Sequence, residues 1–327
     1  MDGRSRREFL QASAAAAAVT AAPGLALAQD GFPSRPVRLI VGFTPGTATD
    51  ITARVFASGA ADSLGQQVIV EDRPGAGSAL AAEYVARAAK DGYTYFVATT
   101  SVVTSLAMKP DPGFDLPRDF APVSLLATGA VVLVASLQSK LKSVADVIAL
   151  AKAKPNEVLC ANVGVGGLPH FAAVLFAQRA GIKLVHVPYP GSPQAANDLL
   201  AGRVAIFFSP ASTVIGHIAA GKLTPLAVAA EHRAKALPNI PSMAEAGMPD
   251  FDASLWFGLL APSGTPQPVL ERIGRAAGKA MRAPDAVTAM SAQGFEPIGN
   301  SPDKFGAYLK DEIKRWADVA KAAGVKT

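Results

Sequence analysis

The chain has 327 residues, half of them apolar, with 31 basic and 26 acidic side chains and one cysteine. That balance excludes a disordered chain, and a lone cysteine excludes an intrachain disulfide or a cysteine-built metal site. No apolar run reaches the ~18–20 residues a spanning helix needs and no repeat period appears, so one large or two ordinary α/β domains are expected.

Residues 1–28 read as an export leader. Arg6-Arg7 followed by Phe9-Leu10 precedes an alanine-rich run, and Ala26-Leu27-Ala28 closes it with small residues at the cleavage spacing. This is the pattern of a twin-arginine signal, read by a receptor and cleaved near Ala28. An amphipathic first helix is the bland alternative, but an alanine run ending in A-x-A is poor material for one. No cysteine stands at the cleavage point to take a lipid, so a free periplasmic product is expected, with a real core and no covalent staple.

From Val37 onward, β-branched runs alternate with helical patterns, which predicts parallel sheet with crossover helices. Strands are expected at 37–41, 67–70 and 95–98, with helices over 48–61 and 79–89. The prolines from Pro110 to Pro122 predict an irregular connection. A second series then opens at Val131. It has helices at 144–153, 170–180, 193–201 and 214–220, and strands at 158–160, 184–187, 204–208 and 226–229. Ser192-Pro193 predicts a capped helix start and Gly202 a left-handed stop; Thr265-Pro266 and Ser301-Pro302 repeat the start signal. Phe305, Leu309, Ile313, Trp316 and Ala320 share one helical face, which is core packing.

Four segments that follow strands share one chemistry. They begin at Phe43, Arg73, Asn162 and Val187, are rich in glycine, hydroxyls or both, and each opens a helix. Glycine lets the backbone approach a ligand, and free helix amides favour an anion. Ordinary βα-turn chemistry accounts for any one of them; four in series favour a site. Enzyme signatures are weak by comparison. Gly75-Ala76-Gly77 begins like a dinucleotide fingerprint, but Leu80 replaces its third glycine. Neither a phosphate loop nor a nucleophile elbow occurs. The four histidines lack zinc-type spacing, and His186 reads as a core or interface residue within an apolar strand. Asp50, near a helix start, is first a dipole partner.

Ordered motifs give the chain a family likeness. They are Pro45-Gly46-x-x-x-Asp50 with Ala53-Arg54, Arg73-Pro74-Gly75-Ala76-Gly77, and Gly164 through Pro169-His170-Phe171. His186-Val187-Pro188-Tyr189-x-Gly191 with Asp198-Leu199-Leu200-x-Gly202 follows, then Pro238-x-x-Pro241-Ser242 and Trp256-x-Gly258-Leu259-x-Ala261-Pro262. In this order they resemble the substrate-binding proteins of tripartite tricarboxylate transporters, the Bug-type periplasmic receptors, over essentially the whole chain after the leader.

The resemblance implies an α/β, two-lobe, type II Venus-flytrap periplasmic binding protein, with mixed or parallel sheets flanked by helices. It implies lobes at 29–128 with 230–327 and at 129–229. Its first loops imply ligand contacts from Phe43, Pro45, Gly46, Thr47 and Asp50, with Gly77 and Ser78 beside them. The second lobe would contribute Gly164, Gly166, Gly167, Tyr189 and Asp198. Two departures stand out: Thr47 replaces a usual glycine, and Ala205 a usual acidic residue.

The expected function is therefore capture of a small organic acid or related carboxylate for membrane permease subunits. No catalysis, cofactor, metal or nucleic acid is expected, and the protein should be a monomer. An exported α/β enzyme and a receptor feeding a membrane sensor are the alternatives.

Overall fold

The computed structural model describes residues 31–108, 113–164 and 166–322. The leader reading at 1–28 and the prolines at 110 and 112 lie outside them. Three strands come first: β1 (Val37–Val41), β2 (Val68–Asp72) and β3 (Thr94–Thr99), parallel, with β1 between the other two. They alternate with α1 (Ala48–Leu64), α2 (Ala79–Ala86) and α3 (Thr100–Met108). A single turn, α4 (Leu116–Asp119), leads into β4 (Phe120–Gly129).

The chain then crosses to a second sheet of β5 (Val131–Ser136), β6 (Leu159–Val163), β7 (Val185–Tyr189), β8 (Ile206–Pro210) and β9 (Leu223–Val228). Between these strands lie α5 (Val144–Ala153), α6 (Leu168–Ala180), α7 (Ser192–Leu200) and α8 (Ala211–Ala219). It returns through β10 (Leu255–Pro262), α9 (Gln267–Met281), α10 (Pro284–Ala292), β11 (Phe295–Pro297) and α11 (Pro302–Ala322). The first sheet runs β11-β4-β10-β3-β1-β2 and the second β7-β6-β8-β5-β9. Each sheet with its helices forms one lobe.

The sheets are mixed. β10 runs antiparallel between β3 and β4, and β5 antiparallel between β8 and β9. Central strands β5, β8 and β10 are buried along their whole length, which is why they read as apolar runs without alternation. β4 replaces part of the irregular connection expected from the prolines. Pro122 is accommodated because the β4–β10 register slips beside it, so that Leu259 faces Ser124 and Leu260 faces Pro122. A bulge tolerates a proline that a regular ladder would not. Gly191, not Ser192, is the N-cap of α7, and no side chain caps that helix; Gly202 has φ 72°, as its role in stopping the chain requires.

The last helices fasten back onto the first lobe. α9 packs along α1, closely enough that a Cβ on Gly59 would come within 2.9 Å of that of Ala280. α11 packs on β4 and α3. Phe305, Leu309, Trp316 and Ala320 are buried, with Ile313 partly so. Their face also carries Glu312, which the apolar periodicity does not reveal. Glu312 is buried, and its Oε2 accepts from the indole N–H of Trp256 at 2.8 Å and of Trp316 at 2.9 Å. Arg315 donates to its other oxygen at 2.9 Å, so the charge is compensated.

Candidate ligand-binding site

The carboxyl ends of β1, β3, β6, β7 and β8 are each followed by a helix start that faces the gap between the lobes. Thr47 and Thr49 of the α1 start, Thr99 and Ser101 at α3, Pro169 of α6, Ser192 of α7 and Pro210 before α8 all line one cavity. Among the described residues, none of α1, α6, α7 and α8 is capped by its own N-cap side chain, although the Leu168 N–H at the α6 start is taken by Ser101 Oγ and the Ala211 N–H at the α8 start by the Ala130 carbonyl. By contrast α5, whose start does not line it, is capped by Ser143. The α1 and α7 starts leave backbone amides and the positive ends of their helix dipoles available to an anion. The remaining lining is Phe43, Ala48, Val163, Leu255 and Phe257, and no lining residue is charged. The cavity holds about 30 Å³, room for about two waters and far below the roughly 300 Å³ of a ligand pocket, so a solute must part the lobes to enter.

Close contacts between the lobes explain the glycines. Gly164 (φ 65°) lies so near Gly77 that a Cβ on it would sit 3.1 Å from the Gly77 Cα. A Cβ on Gly191 would collide with Thr44 Oγ1. In the first lobe Gly42 leaves room for Ser78, whose buried Oγ has no hydrogen-bond partner among the described residues. Thr44 Oγ1, Ser105 Oγ and Asn162 Oδ1 share that condition. Buried polar atoms are rarely left so unless a ligand or water serves them.

Of the residues the family likeness singles out, Phe43 and Thr47 line the cavity directly. Pro45 and Gly46 are exposed, with Gly46 facing Pro193 of the other lobe. Asp50 is buried but turned away from the gap. It accepts from the Gly46 N–H at 2.8 Å and pairs with Arg54 at 2.7 Å, so it shapes the loop. Thr47 needs no glycine: its backbone is extended at φ −76°, and its hydroxyl donates to the Thr44 carbonyl. Ala205 packs on the core before β8, at the end of the strand opposite Pro210.

In the second lobe, Gly166 and Gly167 precede α6; Val165, between Gly164 and Gly166, lies outside the described residues. The Gly166 N–H donates to His170 Nδ1 at 3.1 Å. His170 meets His186 edge to face at 5.0 Å. Burial, and then the neighbouring His186, push the His170 pKa down to about 4. Tyr189 and Asp198 do not line the cavity. The phenol donates to Asp198 Oδ2 at 2.8 Å and Arg203 to Oδ1 at 2.7 Å, so the carboxylate is engaged at both oxygens. Those bonds hold its pKa below the usual carboxylate range, the phenol's first.

The start of α3 was missed in the sequence. Ser101 Oγ accepts from the Leu168 N–H at 3.1 Å, and the Thr104 hydroxyl donates to the Gly166 carbonyl at 2.9 Å. The first lobe thereby grips the glycine loop of the second. A signal was present: Thr99-Thr100-Ser101 and Thr104-Ser105 follow a strand, as the other hydroxyl-rich segments do. A cavity of about 610 Å³ lies beside both crossovers, but its basic residues Arg233 and Lys235 are paired with Glu245 and Glu296.

Comparison with known proteins agrees with this architecture. Residues 52–325 match the family model described as tripartite tricarboxylate transporter family receptor. Protein BugT of Bordetella pertussis is 38% identical over 94% of this chain and 95% of its own. The solved periplasmic binding protein BugD superposes with a TM-score of 0.86 at 30% identity, over 90% of this chain and 99% of BugD. R. palustris Rpa4515, solved with adipate, gives 0.85 at 32% identity over 90% and 98%. MatC from Rhodopseudomonas palustris, solved with bound malate, gives 0.84 at 30% identity over 88% and 100%. The chain belongs to the tripartite tricarboxylate transporter receptor family, a family of binding proteins.

Proposed function

We propose that this protein captures a small carboxylate-bearing solute between its lobes and passes it to the permease subunits of a tripartite transporter. The observation that carries this reading is the convergence of the uncapped α1 and α7 starts on a lining without a charged side chain among the described residues. Such a site holds a carboxylate by amides and hydroxyls, and it releases the solute without breaking a buried ion pair. Structures of family members with adipate and malate support the ligand class.

Residues 29–128 with 230–327 form one lobe and 129–229 the other, a division supported by the sheet membership of the strands. Closure rotates them about the crossovers at Gly129–Val131 and beyond Val228, and the closed form is the one the permease reads. The contacts a carboxylate makes come from both lobes: Phe43, Thr47, Gly77 and Ser78 against Gly164, Gly166 and Gly167. Pro45, Gly46 and Asp50 hold the first loop, and Tyr189 with Asp198 holds the second. Residues 1–28 direct export to the periplasm and are cleaved near Ala28, leaving a monomer.

A thermal-shift screen of the cleaved protein against mono-, di- and tricarboxylates tests this. A bound solute at 100 times its Kd stabilises by about 2.7 kcal/mol. A folded, ligand-free preparation that no carboxylate stabilises would refute the reading.

A further inference from the structure

The start of α6 is held from two sides. Within the second lobe, His170 stands at the third position of the helix, and its Nδ1 accepts the Gly166 N–H at 3.1 Å. This is the backward half of a capping box, moved out by one residue. From the first lobe, the Thr104 hydroxyl lies 2.9 Å from the Gly166 carbonyl, and Ser101 Oγ accepts the Leu168 N–H. Gly166 is buried with φ 84°, and a Cβ on it would come within 3.2 Å of Ser105 Oγ. One residue thus has its N–H fixed from its own lobe and its carbonyl engaged by the other.

The Thr104 hydroxyl also lies 3.1 Å from the Ser101 carbonyl of its own helix. It can turn to that acceptor when the lobes part, so the bond to Gly166 is a gain specific to closure. An accepting Nδ1 requires a neutral His170 ring with its proton on Nε2. A second proton, taken up from solvent at Nδ1, would set a donor against the Gly166 N–H and push that residue out of place. The surroundings bring no carboxylate to the ring. α3 and β8, which pack on α6, carry no titratable side chain. β6 carries only Cys160, whose thiol burial pushes up to about 12. β7 brings His186, edge to face with His170, while its Tyr189 is bonded to Asp198. On α6 itself, Arg179 reaches the Pro249 carbonyl.

Resting on the capture reading above, we infer that His170 is the positioning residue that holds Gly166 in place for closure, and that its protonation loosens the grip on the solute. His170 touches the solute only through Gly166. The receptor would therefore bind in neutral surroundings and release more readily in acid.

The test compares two variants of the cleaved protein. Asparagine puts its Oδ1 where Nδ1 stands; glutamine puts its amide where Nε2 stands and leaves the Gly166 N–H without an acceptor. In calorimetric titration with adipate and malate at pH 7, His170→Gln should bind about fivefold more weakly than His170→Asn, the worth of one hydrogen bond. Between pH 7 and pH 4.5 the parent should lose about fivefold more affinity than His170→Asn, a comparison from which the solute's own titration cancels. Nitrogen-15 NMR of the solute-free, histidine-labelled parent should show His170 as the neutral Nε2–H form at pH 7. Equal binding by two folded variants would overturn the inference, as would an Nδ1–H ring or parallel pH profiles for the parent and His170→Asn. A parent that binds neither acid at pH 7 would tell against the capture reading instead, and the form of the His170 ring would then decide this inference.

Discussion

Leu168, the first residue of α6 in the second lobe, donates its backbone N–H to Ser101 Oγ of the first lobe at 3.1 Å. A side chain of one lobe thus does for the other lobe's helix what a local capping residue would do, but only while the lobes are together. The same strand-end geometry that offers amides to a solute therefore also couples solute capture to closure.

Ser101→Ala removes this bond and leaves the Leu168 N–H without a partner in the closed form. The loss of a hydrogen bond of this kind is about 1 kcal/mol, so solute affinity should fall about fivefold. Titration calorimetry checks it, and the melting temperature of the solute-free protein should change little.

Gly164→Ala attacks closure by volume and by strain. The position has φ 65°, and the new methyl group would sit 3.1 Å from the Gly77 Cα. The left-handed conformation alone costs an alanine about 1 kcal/mol or more. Small-angle scattering should show a larger radius of gyration for the variant, and the solute should bind at least tenfold more weakly.

Acid should weaken the fold through His170. Burial and His186 lower its pKa to about 4 from an ordinary 6.5, so the unfolded chain takes up this proton first as the pH falls. Stability is then full above about pH 6.5 and declines toward pH 4. Burial of His186, whose pKa is also lowered, acts in the same direction. His170→Asn retains an acceptor for Gly166 without a titrating ring. Melts followed by circular dichroism at pH 7 and pH 4.5 should show a smaller loss for that variant than for the parent.

Glu312→Ala should loosen α11. It leaves the buried indole N–H groups of Trp256 and Trp316 without their acceptor and Arg315 without one of its carboxylates. A destabilisation of about 3 kcal/mol is expected. Urea unfolding followed by tryptophan fluorescence measures it.

Much of the scaffold was legible in the residues themselves. β1, β3 and the helix at Val144–Ala153 follow from local apolar runs and periodicity. Gly202, placed where a helix must stop, announces its positive φ because few other residues adopt it. β4 was hidden, since Pro122 argues against a strand unless the partner's register slips beside it. β10 was legible only as a motif, because a strand buried on both faces has no alternation to show.

The site divides along the same line. Glycine loops and helix starts depend on backbone preferences within a few residues, so the sequence alone pointed to some of the segments that reach the gap between the lobes. It did not point to the α3 start, Pro210 or β10. Which atoms face that gap was decided by tertiary structure. Asp50 turned back to Gly46 and Arg54, Tyr189 and Asp198 bonded to one another, and Ser101 and Thr104 reached across to the glycine loop. Ser101 and Leu168 lie 67 positions apart in the chain. A hydrogen bond over that separation depends on how two sheets pack, and no local pattern of residues specifies it.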